Sequence, residues 1–436
     1  MGYPKPLPGQ NAGPVTAAER LVSLDTLRGV AVMGILVMNV YAFAMPLAAY
    51  YNPLIMGGTD ALNMGTWFFT HLLFDQKFMT IFSMLYGAGV VMMMNRAEAR
   101  DVPFTSVFYR RSAWLIVFGL LHGYFIWFGD ILFHYALMGM IVFLFRKASP
   151  RMLITIACIM LPVTLLINFG SSFYMEELQA DVAAIEQMQS DGATPDEEQQ
   201  QKLEAWLEVR AVFAPTAEDI AAEVTAYKGT YVDALAQRAP FVAFMQLNLT
   251  LVFVVWRVGG LMLLGMALMK LGVLSGQRSM RFYRKMTVIG YGVGLPLAIL
   301  SAVILDAHQF DPLYVARYGG IPNYFGSILV AFGHIGAVLL VVKSGAFQAA
   351  VHRVAAVGRM ALSNYLAHSL VMTSLFYGYG LGLYAEVPRI WQQGFVAALI
   401  GLQLALSPWW LKHFRFGPAE WLWRSLTYGQ RQPMRR

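Results

Sequence analysis

Apolar runs recur along almost the whole of this chain, and several reach the ~20 residues an α-helix needs to cross a bilayer core of about 30 Å. Hydrophobic residues make up 58% of the 436 positions and charged residues only 13%, against roughly 25% charged in soluble globular chains. The sequence therefore reads as a polytopic membrane protein, and the expected fold class is all-α, a transmembrane helix bundle. About ten spans are expected, over residues 28–46, 76–95, 112–129, 131–146, 151–170, 249–270, 286–305, 322–342, 358–377 and 392–411.

The loop charges give the orientation. With the N-terminus in the cytoplasm, 24 of the 32 Lys and Arg residues fall in inside segments and six in outside ones, as the positive-inside rule requires. Both termini are expected to be cytoplasmic. The net charge of +7 is thus a matter of membrane orientation, and no nucleic-acid partner is expected. The opening "MGYPKPLPGQNAGPVTAAER" has no basic start followed by a short apolar core, so a cleaved leader is not expected. Cys158, the single cysteine, excludes an intrachain disulfide and argues against a cysteine metal cluster; no metal site is expected.

The same reasoning divides the chain into a cytoplasmic segment 1–27, a first bundle 28–170, an extracytoplasmic segment 171–240, a second bundle 241–411 and a cytoplasmic interfacial tail 412–436. Residues 171–240 hold 14 of the 25 acidic residues and four basic ones. Helix-forming stretches such as "EELQADVAAIEQMQ", and the turn in "SDGATPDEE", predict a small acidic helical cap. The alternative is a solvated connector.

Ionisable side chains at membrane depth cost a few kcal/mol on insertion scales, so each is a site candidate. The stretch "GLLHGYFIWFGDILFHYALMG" (119–139) carries His122, Asp130 and His134. Asp130 is placed to cap the following helix, with His134 four residues on over the same face. His122 lies between two glycines with no local partner. Its imidazole suits general acid–base work near neutrality, and a packed histidine bonded to a neighbouring helix is the alternative.

The stretch "THLLFDQKFMTIFSMLYGAG" adds His71, Asp75 and Lys77. His71 and Asp75 are spaced to pair, and the run 66–95, about 45 Å long as one helix, predicts a break near Asp75-Gln76-Lys77. Lys77 is read either as snorkelling to the outer interface or as a substrate ligand. Arg257 is the best-placed intramembrane cation for an anionic group, with an ion pair to Asp75 or Asp130 as the alternative. At the inner face, "RLVSLDTLRGVAVMGILVMN" brings Arg20, Asp25 and Arg28 to the start of the first span and Asn39 into it; Asp25 and Arg28 are spaced to pair. No GxxxxGK[ST], HExxH or GxSxG occurs, so ATP hydrolysis, zinc proteolysis and an elbow-type hydrolase have no support.

These motifs, with "KFMTIFSMLYGAG", "VGRMALSNYLAHSL" and the ending "SPWWLKHFRFGPAEWLWRSLTYG", resemble the YeiB family of bacterial inner-membrane proteins, a domain of unknown function. The opening is similar to the R-x-x-x-L-D-x-x-R-G of transmembrane acyltransferases, the acyltransferase-3 group and heparan-α-glucosaminide N-acetyltransferase, with Arg20, Asp25, Arg28 and Gly29 matching. The relatives' catalytic histidine has no matching motif. That resemblance implies acyl transfer from cytoplasmic acyl-CoA to an extracytoplasmic acceptor, a sugar, lipid or other small molecule. Acyl-CoA would be a co-substrate, with no permanently bound cofactor. By the same analogy the protein would be a homodimer in the inner membrane. In this scheme His122 is the base and Asp130 or Asp75 orients it. Arg28 meets the donor phosphates, Arg257 or Lys77 stabilises the thioester oxygen, and the remaining ionisable groups line the substrate path. The competing expectation is a transporter of a small anionic or amphipathic solute.

Overall fold

In the computed structural model, which describes residues 21–101, 104–213 and 215–436, the apolar runs form helices throughout. In chain order they are α1 (Val22–Ala44), α2 (Leu47–Tyr51), α3 (Ala61–Leu73), α4 (Lys77–Ala99), α5 (Thr105–Phe125), α6 (Leu132–Val142), α7 (Pro150–Ser190), α8 (Glu197–Phe213) and α9 (Ala217–Lys228). There follow α10 (Tyr231–Leu249), α11 (Gly259–Lys270), α12 (Met280–Ala307), the single turn α13 (Pro312–Tyr314), α14 (Gly320–Ser344), α15 (Gln348–Arg359), α16 (Ala361–Phe376), α17 (Arg389–His413) and α18 (Pro418–Tyr428). A tight 3-10 turn, Phe143–Phe145, prolongs α6, and widened π-type turns at Thr250–Val258 and Val315–Gly319 join α10 to α11 and α13 to α14. No strand occurs among the described residues beyond one isolated bridge, Phe414 to Arg435. The expected all-α membrane bundle is what the chain forms.

Among the described residues, seven helical runs are long and apolar enough to cross a membrane: Val22–Ala44, Ala61–Ala99, Pro150–Ser190, Tyr231–Lys270, Met280–Ala307, Pro312–Ser344 and Arg389–His413. Apolar side chains such as Ile159, Leu166, Val288, Val303 and Leu402 are exposed on the outside of α7, α12 and α17, a surface only lipid would cover. The other three expected spans correspond to α5, to the 14-residue stretch Leu132–Phe145 and to the 16-residue α16. These three are shorter or more polar.

Close helix crossings are built on glycine, since without a hydrophobic drive between helices in lipid, contact depends on backbones approaching closely. A Cβ on Gly87 of α4 would run into the Met262 carbonyl of α11, and one on Gly265 of α11 into the Met84 carbonyl of α4. Gly29 of α1 and Gly358 of α15 make a second reciprocal pair, against Val354 and Asp25.

The expected break before Lys77 is present: α3 ends at Leu73, and Gln76 adopts a left-handed backbone (φ 61°) before α4 begins. Two expected boundaries are not breaks. α7 runs unbroken for 41 residues through position 170, and α10 runs through position 240 despite Pro240. The polarity of the sequence changes there, but nothing stops the backbone ladder, so helices carry the spans directly into the cap. The segment 171–240 is helical, as expected, and α9 and α10 each start on a reciprocal Thr–Asp capping box, Thr216–Asp219 and Thr230–Asp233.

This helical segment is tied to one end of the bundle. Glu223 of α9 accepts hydrogen bonds from the Leu47 N–H (3.3 Å) and the Tyr384 hydroxyl (3.1 Å). Lys228 pairs with Glu386, and the Tyr227 ring packs against Tyr377 and Tyr384. Arg238 of α10, wholly buried, donates to the carbonyls of Tyr124 and Ile126 (both 2.9 Å) and so closes the C-terminal end of α5.

Candidate functional site

α5 carries His122 in its last turn, and the chain then reverses through Gly129 so that Asp130 returns against it. Asp130 Oδ1 lies 2.9 Å from His122 Nδ1, while its Oδ2 accepts the Phe133 N–H at 2.8 Å. One carboxylate therefore both orients the imidazole and caps α6, the role the sequence predicted for it. Gly119 is needed here, since a Cβ would collide with Phe133 N and Asp130 Oδ2. A carboxylate only accepts, so Nδ1 is the nitrogen that donates to it, and in the neutral imidazole Nε2 is then the acceptor. That nitrogen faces Ser369 Oγ of α16 at 2.8 Å. Asp130, His122 and Ser369 form a hydrogen-bonded triad with relative exposures of 7%, 1% and 0%.

Below the triad lies a cavity of about 330 Å³, at the lower end of the ~300–1,000 Å³ typical of ligand sites. Its deep end is apolar and aromatic, with Val32, Leu85, Leu115, Ile131, Leu132, Tyr135 and Tyr365. Its mouth is cationic: Arg28, Arg96, Arg100, Arg111, Arg359, Arg415 and Arg424 line it, against Asp25 and Glu420. The two acids are already engaged. Asp25 pairs with Arg28 at 3.2 Å, as its spacing predicted. Glu420 accepts the Leu362 and Ser363 N–H groups (2.7 and 3.1 Å) and caps α16 from α18; burial pushes its carboxyl up from the ordinary value. Arg111 lies over the Trp423 ring at 3.5 Å. None of the triad lines the cavity, but Tyr365 touches both. The Tyr365 ring sits 5.2 Å from the His122 ring, and its hydroxyl donates to Gly129 O (3.2 Å) and accepts from Ile131 N–H (3.3 Å).

A second polar cluster gathers the other predicted ionisable residues. Lys77 Nζ donates to His71 O and Asn323 Oδ1, both at 2.6 Å, and Asn323 Nδ2 donates to Asp75 Oδ2 at 2.7 Å. His71 Nδ1 is 3.4 Å from Asp75 Oδ2, the expected pairing. Snorkelling of Lys77 is corrected: its exposure is 0%, because Asn323 and a freed carbonyl at the α3–α4 break satisfy the ammonium inside the bundle. Arg257, also wholly buried, sits in the widened turn before α11. It donates to Tyr324 O (3.3 Å) and Ser327 Oγ (2.7 Å) and lies 4.0 Å over the Tyr324 ring. Neutral partners on α14, rather than a direct ion pair with Asp75 or Asp130, hold its charge.

The structure thus separates residues that the sequence had grouped. Asp75, not Asp130, belongs with Lys77, and neither Lys77 nor Arg257 lines the arginine-rimmed cavity. His134 meets Asp130 through the backbone carbonyl (Nδ1 to O, 3.2 Å), because the carboxylate is committed elsewhere. Asn39 is half-buried in α1 and outside the cavity lining. Arg20 lies outside the described residues. Ser369 and Tyr365 were missed, although both stand in the stretch "VGRMALSNYLAHSL"; a small residue in a membrane helix reads as packing. Among the described residues no three His, Cys, Asp or Glu side chains converge in a metal-ligating group.

Residues 268–430 match the family described as Protein of unknown function (DUF418). Over 413 residues the chain is 33% identical to Uncharacterized protein YeiB of Escherichia coli (strain K12), covering 94% of this chain and 96% of that one. The chain belongs to the YeiB family. A second relative, Uncharacterized protein YxaH of Bacillus subtilis (strain 168), is 30% identical over 430 residues, 97% of each chain. An uncharacterized 39.9 kDa protein from Bacillus acidopullulyticus is 24% identical over 421 residues, again 97% of each. No solved structure matches the chain. The DUF418 match takes in Ser369, Glu420 and three of the cavity arginines, whereas His122 and Asp130 come from the other half of the YeiB fold.

Proposed function

We propose that this YeiB-family protein is an acyl-CoA-dependent acyltransferase of the bacterial inner membrane, crossing it ten times with both termini in the cytoplasm. The observation that carries the reading is an arginine-lined cavity whose wall includes Tyr365, the ring packed 5.2 Å from His122 of the His–Asp pair. Phosphates of a nucleotide-containing acyl donor need guanidinium groups, an acyl chain needs an apolar sleeve, and the reacting carbonyl needs a positioned base. The first two requirements are met within one cavity, and the third stands behind its Tyr365 wall. From Leu115, which lines the cavity, α5 rises about 10 Å away from Arg111 to reach His122 in its last turn. An acceptor would reach it from the capped, outer side. The R-x-x-x-L-D-x-x-R-G opening supports the same reading, since Asp25 and Arg28 stand at that mouth.

The grouping of loops into two sides is supported by which loops meet. Lys270 donates to Arg146 O and Ala148 O, and Lys343 to Gly276 O, which joins loops expected inside. Arg317 bonds Ser172 and Glu176, and Arg389 bonds Pro53, Met56 and Gly58, which joins loops expected outside.

The test is binding and turnover of isotope-labelled acetyl-CoA and longer acyl-CoAs by the purified protein in detergent, with free-thiol release as readout. Saturable binding with thiol release, the release lost in His122→Ala, is expected. Absence of binding by every acyl-CoA tried removes the donor and overturns the reading. The second reading, transport of a small anion, draws on the buried Lys77–Asn323–Asp75–His71 cluster beside Arg257, a polar group of the kind found along solute paths. Anion uptake by proteoliposomes, abolished in Lys77→Met and intact in His122→Ala, would favour it.

A further inference from the structure

Hydroxyls on the helices of this bundle mostly turn back on their own helix. Thr26, Thr66, Ser83, Thr373, Ser374 and Thr427 each donate to the carbonyl four residues earlier, the ordinary way a membrane helix disposes of a hydroxyl. Ser369 does not. Its Oγ reaches across the bundle to His122 Nε2, on a helix 247 residues away. It lies on the face of α16 that carries Leu362 and Tyr365 into the cavity, one turn beyond Tyr365. Nucleophile, base and orienting carboxylate stand in the relation that activates a serine: a 2.8 Å bond from hydroxyl to base, and a 2.9 Å bond from base to carboxylate.

Resting on the acyltransferase reading, we propose that Ser369 carries the acyl group as a covalent ester between donor and acceptor. In the first step Ser369 Oγ attacks the thioester carbonyl and its proton passes to His122 Nε2. The C–S bond breaks and the leaving thiolate takes that proton, so free CoA thiol departs and an acyl-serine remains. In the second step an acceptor hydroxyl attacks the seryl ester, again giving its proton to Nε2. The C–O bond to Ser369 breaks and Oγ recovers the proton. No other reactant is consumed. Asp130 is a positioning residue that keeps the hydrogen on Nδ1 so that Nε2 accepts. Two half-reactions let the partners reach Ser369 in turn, the donor through the arginine mouth and the acceptor from the capped side. Tyr365 lines the cavity and packs on His122, whereas Ser369 and His122 do not line it, so the wall at Tyr365 must move for the thioester to arrive.

The experiment is acyl labelling of the full-length protein by [14C]acetyl-CoA without added acceptor. Wild type is expected to take up label approaching one equivalent, stable in acid, released by hydroxylamine and mapped to the Ser369 peptide by mass spectrometry. Ser369→Ala is expected to lose the label and to slow thiol release by about 100-fold or more, while keeping wild-type acyl-CoA binding and thermal stability. Ser369→Cys is expected to carry label as a thioester, released faster by hydroxylamine. Thiol release by wild type without label, persisting in Ser369→Ala and lost in His122→Ala, overturns the covalent step and leaves direct transfer. Absence of thiol release from wild type with any acyl-CoA overturns the acyltransferase reading and this proposal together.

Discussion

At the scale of single residues, Asp130 has two separable duties, because each oxygen has a different partner. Asp130→Asn keeps its one oxygen to cap α6 and turns its NH2, a donor, toward His122 Nδ1, so the imidazole loses its fixed tautomer. The expected outcome is a fall in thiol release of at least about 100-fold, with thermal stability lowered by no more than ~1 kcal/mol, read from kinetics and melting in detergent. Glu223 makes a prediction of another kind. Burial pushes its carboxyl up from the ordinary 4.5, against the pull of the Tyr384 and Leu47 hydrogen bonds. A carboxyl raised on folding favours the docked cap when protonated. That contribution is full below about pH 4.5 and is lost as pH rises through the raised value. Hydrogen exchange in Ala217–Lys228, corrected for its intrinsic pH dependence, is expected to show stronger protection at pH 5 than at pH 8. The difference should vanish in Glu223→Gln.

At the scale of elements, the reciprocal glycines decide which helices touch. Gly87 and Gly265 let α4 and α11 approach until each backbone lies against the other's carbonyl. Gly87→Leu inserts a side chain where no space exists, and neighbouring helices must part. A loss of roughly 1–3 kcal/mol or more is expected, seen as a lower melting temperature in detergent. Gly89 has open space where a Cβ would go, so Gly89→Leu is expected to leave melting nearly unchanged. The triad is assembled from α5, the turn before α6 and the 16-residue α16, so its three members reach one another only through the packing of separate elements.

At the scale of the whole molecule, the arginines of four separate stretches converge on one mouth, so donor affinity is a collective electrostatic property. Arg28→Gln and Arg424→Gln are each expected to weaken acyl-CoA binding by about 5–20-fold, equivalent to ~1–2 kcal/mol for each guanidinium–phosphate pair removed. The wild-type affinity is expected to fall more steeply with added salt than that of the double variant. Titration calorimetry at two ionic strengths reads both. Affinity for acyl-CoA that is unchanged in the double variant would show that the mouth does not hold the phosphates.

Hydropathy is a local property, and it was enough to read the all-helical membrane bundle and the helical character of residues 171–240 from sequence alone. Spacing settled the short-range pairs: Asp25 with Arg28, His71 with Asp75, and the capping carboxylate of Asp130. The break before Lys77 was legible too, because a helix spanning 66–95 exceeds the bilayer. Tertiary structure alone decided the rest. His122 finds Asp130 only after the chain reverses through Gly129, and Ser369 arrives from 247 residues away. Lys77 and Arg257 are satisfied by Asn323 and Ser327, residues whose composition gives no sign of that duty. Hydrogen-bonded contacts between distant helices depend on rotation about each helix axis and on how closely glycines let backbones approach. Neither is written in the periodicity of any one segment, so the triad exists only once the bundle has closed.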